Sequence, residues 1–130
     1  MQNIDDAVLE HYMKAGKAVA AALKLGKMLA RPGTKLLDLG SLIEEEIKKN
    51  GAELSFPVNL SLDTCAAHYS PIIEDSTILP SQGLLKIDCG SHVEGYIADA
   101  AITVNLGNEE GLKATLVKAA EEALKIKDWE

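Results

Sequence analysis

The chain has 130 residues, 47% hydrophobic and 25% charged, with 20 acidic against 13 basic residues and a net charge of −7. That is the make-up of one soluble globular domain, so residues 1–130 are read as a single unit able to bury one core. The acidic excess argues against broad contact with nucleic acid or an anionic membrane, and no run approaches the roughly 20 apolar residues of a membrane span. Met1 to Asp6 lacks the basic and apolar blocks of a signal peptide, and Cys65 and Cys89 form no CxxC pair. The expectation is a cytoplasmic protein with two reduced, buried thiols.

In chain order, residues 5–30 predict a long amphipathic helix, with Val8, Tyr12, Ala15, Val19, Ala22 and Leu23 on one stripe. Arg31-Pro32-Gly33 stops it, and Thr34 is placed to cap a second helix. There Leu36, Leu39, Ile43 and Ile47 form the apolar face, and Glu44, Glu45 and Glu46 read as a solvated one. Residues 53–60 and 65–69 look extended or loop-like, with Pro57, Pro71 and Pro80 as punctuation. Strands follow at 84–90 and 96–106, then a helical pattern from Asn108 with Leu112, Leu116, Ala119, Ala120 and Ala123 on one side. Helices, strands and a final helix predict an α+β fold with an antiparallel sheet and helices packed on one side.

The stretch KIDCGSHVEGYIADAAITV, residues 86–104, carries two aspartates. A hairpin centred between Val93 and Glu94 sets Asp88 directly opposite Asp99, on one face of the sheet. Two ionised carboxylates about 5 Å apart repel by roughly 3 kcal/mol at an effective dielectric of 20. Either one keeps its proton, a cation sits between them, or both are solvated strand charges. The second feature is FPVNLSLDTCAAHYSP, residues 56–71, where His68 offers an imidazole that could donate a hydrogen bond or move a proton, or simply be satisfied in a loop. His11 and His92 read as solvent-facing.

Taken together, these two segments, with KAGKAV and RPGTKLLDL ahead of them, resemble methionine aminopeptidases, especially the type 2 enzymes of archaea and eukaryotes. The spacing agrees as well, with 20 positions from His68 to Asp88 and 11 from Asp88 to Asp99. The resemblance implies the N-terminal half of a pita-bread fold and metal-dependent removal of the initiator methionine from nascent proteins. It implies that Asp88 ligates one divalent ion and Asp99 bridges two, the metal being cobalt, manganese, iron or zinc. It also implies that His68 contacts the substrate amide, and that Phe56, with Pro57 and Asn59, forms part of the methionine pocket.

One departure stands beside these agreements. The family uses a further His and two Glu as ligands, and no residue of this chain matches them. The expected partner is therefore a complementary C-terminal half or a second copy in a homodimer, with a nascent peptide N-terminus as substrate. The alternative is a non-catalytic binding or self-assembling protein on the same half-fold.

Overall fold

The computed structural model describes residues 4–126. Helix α1, Asp6–Leu29, starts where the Asp5 carboxylate accepts from the Ala7 amide at 3.0 Å. It buries Ala15, Ala18, Val19, Ala22, Leu23 and Gly26. Tyr12 is exposed, against the expected stripe, and meets the ring of Tyr96 edge-on at 5.2 Å. His11 stacks on that same ring at 5.5 Å, so it is half-covered rather than solvent-facing.

Helix α2, Leu36–Lys49, buries the whole predicted stripe of Leu36, Leu39, Ile43 and Ile47. Thr34 does not cap it, because its hydroxyl turns back to the Leu29 carbonyl. The Leu36 amide is satisfied instead by the Thr77 carbonyl, from a segment far along the chain. Glu44 also departs from a purely solvated face, since its Oε1 accepts from the Val58 amide at 3.1 Å.

Three strands follow: β1, Glu53–Leu62; β2, Leu84–Val93; and β3, Tyr96–Asn105. They form one antiparallel sheet in the order β1-β2-β3. Leu60, Leu85, Ile87, Cys89 and Val104 point to the face covered by α1 and α2, where they complete the core. Asp88, Gly90, Asn59 and Asp99 belong by register to the opposite face. The outer edge of β1 is blunted: the Val58 amide goes to Glu44, and the Leu60 amide to the Tyr69 carbonyl at 2.7 Å. Helix α3, Leu112–Ile126, begins after Gly111 (φ 97°), later than the pattern from Asn108 suggests, and buries none of its residues. Among the described residues no helix is long and apolar enough to cross a membrane.

Candidate metal centre

The hairpin turn is Glu94-Gly95, both with positive φ (52° and 84°), as a two-residue turn between right-twisted strands requires. Its centre lies one residue beyond the expected Val93-Glu94. Asp88 therefore pairs with Ala101, and Asp99 with Gly90. The aspartates are diagonal rather than directly opposed. The correction moves the register by two residues in all, an even step, so both side chains stay on one face.

The carboxyls remain neighbours. Burial raises the Asp88 carboxyl above the ordinary carboxylate range, and the charge and hydrogen-bonding proximity of Asp99 raise it further. The charge of His68 acts on Asp88 in the opposite direction. Asp88 Oδ1 is buried with no hydrogen-bond donor among the described residues. A buried acceptor left without a partner is costly, and a proton or a cation would satisfy it. The donor set suits a hard or borderline divalent ion, for which carboxylate oxygen is an ordinary ligand. Cys89 does not belong to it. Its side chain lies on the core side, and burial together with the two aspartates pushes its thiol up to about 12, so it stays protonated at neutral pH. Among the described residues no group of three or more His, Cys, Asp or Glu is gathered that could hold a metal ion.

Phe56 faces Gly90 across the sheet. A Cβ on Gly90 would lie 2.4 Å from the Phe56 ring, so the ring lies across that strand position beside Asp99. Asn59 pairs with Asp88 and is half-buried. Pro57 is exposed at an irregularity of β1 between Phe56 and Asn59, and nothing in the geometry ties it to the carboxylates. His68 sits in the exposed loop after β1 with φ 66°, an unusual backbone state for a residue with a side chain. His92 is half-buried at the turn, where its Nδ1 accepts from the Gly95 amide at 3.2 Å.

Two polar groups near these residues carried no signal in the sequence. Ser55 Oγ is buried without a hydrogen-bond partner among the described residues and lies where a Gly90 side chain would be. Ser61 is buried and accepts from the Tyr69 amide at 3.2 Å, which ties the His68 loop to β1. Ser55 precedes the 56–71 segment and Ser61 lies within it with nothing to set it apart, and the bulged register of β1 and the return of the loop bring them in.

The profile of metallopeptidase family M24 matches residues 10–126, and divalent metal is the cofactor class that description implies. The chain is 46% identical to a methionine aminopeptidase of Pyrococcus abyssi over 89% of its own length, and 41% identical to one of Methanocaldococcus jannaschii over 88%. It spans 38% of the length of each of these relatives. The crystal structure of a methionine aminopeptidase from Thermotoga maritima superposes with a TM-score of 0.87 at 25% identity, covering 96% of this chain and 53% of that one. The architecture is accordingly one half of the pita-bread fold. Since the match runs through both long helices, the aspartate hairpin and α3, the chain belongs to metallopeptidase family M24.

Proposed function

We propose that residues 1–130 form the N-terminal half of a methionine aminopeptidase, removing the N-terminal methionine from nascent proteins once a complementary C-terminal half or a second copy completes the site. The observation that carries this reading is the buried, unpartnered Asp88 oxygen beside Asp99, on the face that α1 and α2 leave uncovered. In this reading Asp88 and Asp99 would be the ligands this half contributes to the divalent ions, Asp88 to one and Asp99 to both, the metal being cobalt, manganese, iron or zinc. Such ions polarise a peptide carbonyl and make water nucleophilic at neutral pH. His68 receives the substrate amide in a hydrogen bond and steadies charge that develops there. Phe56, with Pro57 and Asn59 along β1, walls the pocket for the methionine side chain.

Melting curves with chelator and with manganese test the ligand assignment. Manganese should raise the melting temperature of the wild type and leave Asp88→Asn and Asp99→Asn unmoved. Equal shifts in all three proteins would remove the metal from this site. Methionine release from a Met-Ala-Ser peptide should require an added C-terminal half or a dimer. Robust turnover by a verified monomer would overturn the half-enzyme reading, and a completed assembly that binds manganese without turnover would mark a non-catalytic relative.

A further inference from the structure

His68 precedes Tyr69, which is bonded to Leu60 and Ser61 of β1, the strand whose Asn59 pairs with Asp88. Yet among the described residues His68 makes no side-chain hydrogen bond of its own. Its backbone also holds a φ of 66°, which persists only where the surroundings fix it. The fixing groups lie on the next residue. Tyr69 accepts from the Leu60 amide through its carbonyl, donates from its amide to Ser61 Oγ, and donates from its hydroxyl to Asp75 Oδ2 at 2.5 Å. Asp75 Oδ1 accepts from the Thr77 amide at 2.9 Å, and the Thr77 carbonyl accepts from Leu36 at the start of α2. An unbroken chain of bonds thus runs from α2 through Asp75 and Tyr69 to the residue beside His68.

We infer that Tyr69 and Asp75 are positioning residues, a phenol–carboxylate clamp that holds the His68 loop against the aspartate pair from a footing on α2. The clamp rests on the proposed role of His68 for its purpose, though not for its existence. Ser61 and Leu60 fix the loop at β1, and Asp75 fixes its far side. Without the Tyr69–Asp75 bond, the segment with its exposed tip at Ile72 and Ile73 is no longer tied across its base, and its two ends are held separately, by β1 and by the Thr77–Leu36 bond.

Amide exchange on the 130-residue chain tests the clamp. In Tyr69→Phe and Asp75→Ala, exchange at Leu60 and Tyr69 should rise at least tenfold, while the Ile87 amide in the central strand is unchanged. Asp75→Asn keeps one acceptor oxygen and should recover part of the protection. Manganese broadening of imidazole signals supplies the positional readout. In the wild type His68 should broaden more than His11 and His92. In Asp75→Ala the His68 effect should at least halve, while the Ala101 methyl beside Asp88 broadens as before. Unchanged exchange at Leu60 and Tyr69, or equal acceleration at Ile87, would overturn the clamp. If the exchange results hold but manganese broadens neither Ala101 nor His68 in the wild type, the metal reading falls and the clamp stands.

Discussion

At Gly90 a methyl group would lie 2.3 Å from Ser55 Oγ and 2.4 Å from Phe56 Cε1, closer than non-bonded atoms approach. The hydroxyl can rotate away, but the ring is held by the strand it stands on. Gly90→Ala should therefore destabilise the chain by about 1–3 kcal/mol, the usual range for overpacking, and push Phe56 off the strand. Ser55→Ala removes a buried hydroxyl that has no partner, so it should be neutral or stabilising. Urea melts of both variants check the pair of outcomes, and a neutral Gly90→Ala would show that Phe56 is free to move. The glycine itself was visible in the sequence. Its reason was not, because the bulged register between Leu54 and Asn59 decides which side chains crowd it.

Elements with a strong period were the most legible. The α2 stripe of Leu36, Leu39, Ile43 and Ile47 is buried as the 3.6-residue repeat requires. The alternation marks both strands but not the turn, which is why it places the hairpin centre one residue early. Glycine at the second turn position, with positive φ, puts the centre at Glu94-Gly95. The slip was even, so the shared face of Asp88 and Asp99 was legible although their direct opposition was not. The loop from Asp63 to Gly83 has no period, and bonds that anchor it reach outside any local pattern, such as Tyr69 to Ser61 and the Thr77 carbonyl to Leu36. The same loop has a titration behaviour of its own. The Thr77 hydroxyl and the Tyr69 hydroxyl hold the Asp75 carboxyl below the ordinary range, while the bond to Asp75 raises the Tyr69 phenol above 10.0. A lowered carboxylate contributes stability above its unfolded pKa and loses it as pH falls through the folded value. A raised phenol contributes below its unfolded pKa and loses it as pH rises through the folded one. Protection of the Tyr69 amide should thus be flat around neutrality and fall in acid below the usual aspartate range and in alkali above pH 10. NMR exchange corrected for intrinsic rates would show this, and Asp75→Asn should lose the acid limb.

At the scale of the whole molecule, α1 and α2 cover one face of the sheet, while among the described residues the aspartate face and the outer edge of β3 have no strand or helix of comparable packing against them. Exposed Ile97 on β3 and Leu112, Leu116, Leu124 and Ile126 on α3 border that side. Backbone donors on an unpaired edge, together with apolar side chains, favour pairing with another chain. The two edges of the sheet are not equivalent, however. Glu44 and the Tyr69 carbonyl occupy the outward amides of β1 at Val58 and Leu60, so the β3 side is the edge open to strand addition over its length. A subunit with one attachment point has a valence of one, and association between such subunits terminates at a pair. Sedimentation at micromolar concentration should give a dimer whose mass does not grow with concentration. A monomer, or a series of larger species, would contradict it. Glu44→Ala frees the Val58 donor and gives each subunit a second attachment point, and this variant should be the one that polymerises.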